Sequence, residues 1–317
     1  HKAIRRQRQM CIRDRLYPRM QTMMDYVLGR TNKNGMVEGM TGDWVFVDWA
    51  DGYLDKRGEL SFEQVLLCKS LETMSLCADL AGCAQDAEKY NNLATDLREK
   101  LLPAFWNEKK QALVHNRRNG QQSESITRYS NMFSVFFGYL DQSKQQAIKH
   151  SVLLNDSILK ITTPYMRFYE LSALCRLGDT EYVTGEIADY WGAMLEEGAT
   201  TFWERYDSEE KGDEKYAMYG RKYGKSLCHA WGATPLYLLG RYVAGLKATD
   251  GAKSFVVSPD LAGLKWFRAE LPLVRGTVKI EADEEGIRVS SSELSGVLVA
   301  GGKEYPVLPG RVTEVKR

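Results

Sequence analysis

Ser61-Phe62-Glu63-Gln64-Val65-Leu66-Leu67-Cys68-Lys69-Ser70-Leu71-Glu72-Thr73-Met74-Ser75-Leu76-Cys77-Ala78-Asp79-Leu80-Ala81-Gly82 decides the fold of this chain. Leu67, Leu71, Met74, Ala78 and Ala81 step by four and three, which puts them on one face of a helix. Ser61-x-x-Gln64 has the pattern of a capping box at the start, and Gly82 suits the end. Working outward, Ala87, Tyr90, Leu93, Leu97, Leu101 and Phe105 form a second stripe, and Ile126, Tyr129, Phe133, Phe136 and Leu140 a third. Residues 143–154 and 165–177 read as further helices, then one from Asp179 to about Glu196, and a last from near Trp231 to Val243. In that last helix Pro235 is tolerable only in the first turn. Short links between long helices make neighbours antiparallel, and no repeat of fixed period is present.

After Gly245 the texture changes. Phe255-Val256-Val257, residues 265–270, 277–281 and 287–290, and Val297-Leu298-Val299 are short runs, several alternating, with Gly or Pro between them. That pattern predicts a small antiparallel β-sandwich. The expected division is therefore a helical domain over 16–247 and a β-domain over 248–317. The basic opening segment 1–15 has no apolar period. Its stretch Arg8-Gln9-Met10-Cys11-Ile12-Arg13-Asp14-Arg15 looks like translated adapter read-through, so it is read as a non-native leader.

The 317 residues hold 43 Lys and Arg against 42 Asp and Glu, a net charge of +1. Such a balance argues against nucleic acid or a charged polymer as the main ligand and suits a neutral glycan. No apolar run is long enough to span a bilayer. The 6 cysteines contain no C-x-x-C pair and read as buried free thiols, neither a disulfide framework nor a zinc site. No metal and no cofactor is expected.

Chemistry concentrates in Thr200-Thr201-Phe202-Trp203-Glu204-Arg205-Tyr206, with His229 following 25 residues after Glu204. Large aromatics beside an acid shield it from solvent and hold it in one rotamer, as a general base or acid requires. A neighbouring cation, Arg205, would keep it charged. Aromatic planes are also how proteins hold the apolar faces of sugars, and an acid merely packed beside a Trp is the structural alternative. Two Asp-Trp pairs, Asp43-Trp44 and Asp48-Trp49, lie five residues apart. They are either sugar contacts or one core Trp and one lid. His229 reads from its neighbours alone as a satisfied core histidine.

Four stretches together carry a family resemblance: Gly42-Asp43-Trp44, Ile161-Thr162-Thr163-Pro164-Tyr165-Met166-Arg167-Phe168-Tyr169-Glu170, Gly198-Ala199-Thr200-Thr201-Phe202-Trp203-Glu204, and Ser226-Leu227-Cys228-His229-Ala230-Trp231-Gly232-Ala233. In content, order and spacing the chain from about Leu16 onward resembles the inverting α-L-rhamnosidases of glycoside hydrolase family 78. The resemblance implies a mainly α fold, a partial (α/α)6 barrel followed by a β-sandwich, and hydrolysis of terminal α-L-rhamnosides in rhamnose-containing glycans. It implies Glu204 as general base and His229 as a sugar ligand, with Asp43-Trp44 in the pocket wall. Trp49 and Trp203 join these as candidate substrate-binding aromatics. The family's general acid lies upstream in a Trp-x-Gly-Asp motif, which this chain lacks. Arg13-Asp14-Arg15 echoes it only superficially. The expectation is a C-terminal portion of an enzyme, inactive alone. Other readings are a different (α/α)6 glycosidase, phosphorylase or lyase, or a non-catalytic sugar-binding protein.

Overall fold

The computed structural model describes residues 2–39, 45–49 and 54–317, with side chains from Arg15 onward. The chain divides into two compact units, His1–Ile161 and Thr162–Arg317. In the first, α1 (Lys2–Leu28), α2 (Ser61–Ala81), α3 (Ala84–Phe105), α4 (Arg128–Phe137) and α5 (Gln142–Ile148) follow one another, and α2 packs against α1, α3 and α4. The expected stripe of α2 is its core face, with Leu67, Leu71, Met74 and Ala78 buried. Gly82 ends the helix at φ 78°, a left-handed turn that a Cβ would strain. Residues 2–15 share α1 with 16–28, although their sequence shows no apolar period.

The capping box at Ser61 does not form. Leu60 holds the N-cap position without a side-chain bond, because the two expected capping residues have tertiary partners. Ser61 Oγ donates to His115 O at 2.9 Å, and the Gln64 amide spans Val37 N, Val37 O and Leu60 O. The third stripe also overruns its helix. Ile126 precedes α4 in a bridge to Val114, and Gly138 at φ 74° ends α4 before Leu140. Residues 143–154 split into α5 and a π-helical turn, Lys149–Leu153. The buried Arg128 holds the loop that follows by donating to the carbonyls of Leu153, Asn155, Ile158 and Leu159.

The second unit opens on the hairpin of α6 (Pro164–Arg176) and α7 (Thr180–Glu196). Asp179 holds the N-cap position of α7 without a side-chain cap bond. The single helix expected from Trp231 to Val243 is a 3₁₀ turn (Ala230–Gly232), then α8 (Thr234–Leu238), then a π-helical turn (Leu239–Val243). Pro235 falls in the first turn of α8, where its missing N–H is harmless.

Two four-stranded sheets follow. One runs Val312–Lys316, Gly286–Ser291, Thr277–Asp283, Trp266–Pro272, all antiparallel. The other runs Lys303–Val307, Gly296–Ala300, Ser254–Val257, Leu246–Thr249. Phe255, Val257, Val278, Ile280, Ile287, Val289, Leu298 and Val307, drawn from both sheets, form one core. The expected sandwich is present with one correction: Gly296–Ala300 pairs with Ser254–Val257 in parallel. The three strands between them belong to the other sheet, so the chain can return in the same direction. Gly296 permits the pairing, since a Cβ there would sit 2.5 Å from the Phe255 ring.

Among the described residues no helix is long and apolar enough to cross a membrane. Cys68 and Cys175 are buried free thiols, as expected. Cys228 is exposed, because it lies in a loop and not in a helical core face.

Candidate active site

α7 ends at Glu196, and Gly198 at φ 86° turns the chain into an irregular segment through Tyr206. A second segment, 226–229, lies alongside it. Glu204 N donates to Ser226 O at 2.9 Å and His229 N to Phe202 O at 2.8 Å, while Thr201 Oγ1 donates to Leu227 O. Gly232 lets the two segments close, since a Cβ there would lie 2.6 Å from Phe202 Cβ and 2.9 Å from Trp203 O. Trp231 Nε1 then donates to Glu204 O, and Trp191 Nε1 to Gly232 O, each at 2.9 Å.

Trp203 is 3% exposed, with its ring 5.9 Å from Tyr216 and 6.3 Å from Tyr206. It lines a cavity of about 470 Å³ together with Tyr216, Tyr223, Thr200, Lys225 and Leu227. Glu204 is 4% exposed. Its Oε2 accepts from Ser226 N at 3.0 Å and its Oε1 from the Tyr219 hydroxyl at 2.5 Å. His229 Nδ1 stands 3.8 Å from Oε2, beyond hydrogen-bond length, and its side chain is 32% exposed. Arg205, expected to be the cation beside Glu204, pairs with Asp207 and Glu210.

Three ring systems continue outward from this acid. The His229 ring is 4.2 Å from Trp231, and Trp231 stacks on Tyr165 at 5.4 Å with 17° between planes. Tyr165 belongs to the Pro164 stretch, which is tied in by Thr234 Oγ1 donating to Pro164 O at 3.0 Å. Tyr190 OH donates to Thr162 O at 2.6 Å and accepts from Tyr206 N at 3.3 Å. Residues 162–170, 198–204 and 226–233 therefore meet around one buried carboxylate with a half-open imidazole and aromatic faces beside it. The arrangement can exchange a proton at Glu204 next to a surface suited to a sugar ring.

Asp43 and Trp44 fall outside the described residues, as does Asp51. Trp49, in the first unit, is half-buried with its ring 5.0 Å edge-on to Phe46. Its neighbour Asp48 is buried and accepts from Tyr129 OH at 3.1 Å. Among the described residues no group of three or more His, Cys, Asp or Glu could hold a metal ion. Sequence reasoning missed Tyr219 and the Ser226 amide. The signal for Tyr219 was the dipeptide Tyr219-Gly220, whose Gly marks a turn.

Residues 9–243 match the bacterial alpha-L-rhamnosidase six-hairpin glycosidase domain. The chain belongs to this family. Its fold is accordingly part of a six-hairpin (α/α)6 domain followed by the β-domain described above. Three solved structures show the same fold. The family 78 rhamnosidase of Bacillus sp. GL1 is 24% identical, with a TM-score of 0.77 over 92% of this chain and 31% of that one. A rhamnosidase from Klebsiella oxytoca with rhamnose bound is 25% identical, with a TM-score of 0.58 over 72% and 42%. An alpha-L-rhamnosidase from Dictyoglumus thermophilum is 20% identical, with a TM-score of 0.57 over 80% and 30%. This six-hairpin chain thus spans between 30% and 42% of the length of these three structures. No curated protein matches it.

Proposed function

We propose that this chain carries the general-base half of an inverting α-L-rhamnosidase, an enzyme that releases terminal α-L-rhamnose from glycosides. The observation that carries the reading is Glu204, buried yet bordered by the half-open His229, in a family of rhamnosidase domains. Inversion needs an acid and a base about 6.5–9.5 Å apart, with room for a water between the base and the anomeric carbon. In this assignment Glu204 takes the proton of that water as its oxygen attacks carbon. The leaving oxygen takes a proton from an acid supplied by a segment other than the 317 residues present here.

His229 binds sugar hydroxyls from its exposed edge, and Trp231 and Tyr165 extend the apolar wall. Trp203, which lines the cavity of about 470 Å³, is assigned a substrate-binding role from its motif. Asp43, Trp44 and Trp49 are assigned sugar contacts from their motif. Residues 16–247 are assigned to the catalytic domain and 248–317 to an accessory β-domain; the family match begins at residue 9, inside the segment 1–15 read as a non-native leader.

The test is hydrolysis of 4-nitrophenyl α-L-rhamnoside by the chain alone and by a longer polypeptide that includes it. The chain alone turns over negligibly, and in the longer polypeptide proton NMR shows β-rhamnose as the first product. First release of the α anomer would overturn inversion. Robust turnover by the chain alone would overturn the missing acid.

A further inference from the structure

The loop between Tyr206 and Ser226 touches Glu204 from a position that no family motif covers. After a 3₁₀ turn, Gly212–Tyr216, it doubles back at Met218-Tyr219-Gly220-Arg221. Met218 N donates to Arg221 O at 3.0 Å and Arg221 N to Met218 O at 2.9 Å, which closes a tight two-residue hairpin turn. Its central residues have φ of 55° at Tyr219 and 70° at Gly220, as turns of this hand require. Glycine adopts that region freely, whereas a tyrosine is strained there. Such strain at a non-glycine residue persists where the surroundings enforce it, and it clusters at functional sites. Here the strained residue has its hydroxyl on Glu204 Oε1 at 2.5 Å.

The same loop supplies the other grip. Lys225 N donates to Tyr216 O at 3.0 Å, and the next amide, Ser226 N, donates to Glu204 Oε2 at 3.0 Å. One loop therefore holds both carboxylate oxygens with uncharged donors. Three of its cations are engaged by acids of the same unit: Lys225 with Glu210 at 2.8 Å, Lys222 with Asp213 at 2.7 Å, and Lys215 with Glu197. Neutral donors aim a carboxylate without cancelling its charge, which suits a group that must accept a proton. Burial, then the Glu204 hydrogen bond and its charge, push the Tyr219 phenol up to about 12, so it stays a donor through neutral pH.

We propose that Tyr219 is a positioning residue for Glu204, its hydroxyl stopping the carboxylate from rotating about the bond that Ser226 alone would leave free. This rests on Glu204 being the base. Tyr219→Phe removes a single oxygen from a half-exposed ring, so the melting temperature is expected to stay unchanged. In a crystal structure of the Tyr219→Phe chain the Glu204 carboxylate turns or occupies more than one rotamer. In the parent chain, labelled with ¹³C-tyrosine, the Tyr219 phenol is expected to titrate near pH 12, and in Glu204→Gln to fall back toward the ordinary 10.0. In a polypeptide that hydrolyses the aryl rhamnoside, Tyr219→Phe lowers kcat by about ten- to a hundredfold while KM stays within about twofold.

A Glu204 that keeps its single rotamer in Tyr219→Phe, or a phenol titrating at its ordinary value in the parent, overturns the role of Tyr219. Those two results do not depend on turnover. An unchanged rate in Glu204→Gln would sink the general-base assignment instead.

Discussion

Glu59, in the first unit, and Glu204, in the second, are 5% and 4% exposed, and their surroundings differ in kind. Glu59 accepts from Arg117 Nε at 2.5 Å and from the Asn32 and Asn34 amides at 2.7 and 3.4 Å. Burial alone would raise its carboxyl. The bonds from Arg117, Asn32 and Asn34, with the Arg117 charge, outweigh that and hold it below the usual 4.5. Glu204 has a phenol, a backbone amide and an imidazole at 3.8 Å. Each unit also has a histidine that makes the same point. His115 is fully enclosed, with Nδ1 3.2 Å from Thr127 Oγ1 and Nε2 3.0 Å from Asp55 O. Because a carbonyl only accepts, Nε2 carries the proton and the neutral ring is complete. His229 keeps an open edge. Burial thus marks both Glu59 and Glu204, the acid proposed as the base, and the charge and completeness of the partners tell them apart.

The largest effect on stability is expected on the structural side. Glu59→Gln leaves Arg117 without its counter-charge, which costs about 3 kcal/mol and lowers the melting temperature by about 6–12 °C. A scanning calorimeter measures this, and a shift as small as that of a surface substitution would break the contrast. The lowered carboxyl also fixes the sign of the pH effect. Its contribution is complete above the unfolded value of 4.5 and is lost as pH falls through the folded value.

A smaller effect, shaped by pH, is expected at His115, whose ring burial holds below its ordinary 6.5. Its folded value lies under the unfolded one and the neutral ring is the bound form. The contribution is therefore complete above 6.5 and is lost as pH falls below it. Replacing His115→Phe flattens the fall of the urea midpoint between pH 6.5 and 5, whatever its offset at neutral pH. A slope equal to the parent's would mean that His115 titrates in the fold as it does in the unfolded chain.

Much of this was legible in the sequence because it is local. The α2 stripe and Gly82 needed only periodicity and a left-handed stop. The strands at 277–283 and 286–291 needed only alternation. Leu246–Thr249 was missed because its alternation runs for only four residues and rests on one large apolar side chain, Leu246. Ser61 and Gln64 misled because distant partners, His115 and Val37, compete for the capping groups. In the site, Glu204, His229 and Trp231 were visible as motif residues, and the structure brings them together. Arg205 adjoins Glu204 in sequence yet pairs with Asp207 and Glu210, a choice of partner that adjacency in sequence does not fix. Tyr219 was hidden because its role depends on a turn fifteen residues away and on a backbone conformation that tyrosine rarely takes.

The measurement closest to the central claim is Glu204→Gln, made in a polypeptide that hydrolyses the aryl rhamnoside, with kcat and rhamnose affinity read on the same preparation. Gln keeps the volume, its one amide oxygen can accept from Ser226 N, and its NH2 can donate to the Tyr219 hydroxyl, so melting temperature is expected to change little. The rate is expected to fall by about 10²–10⁴-fold, with the rhamnose Kd within about twofold of the parent's. Near-parental turnover in Glu204→Gln would contradict the account, and the base would then have to be sought at Asp48 or Asp51.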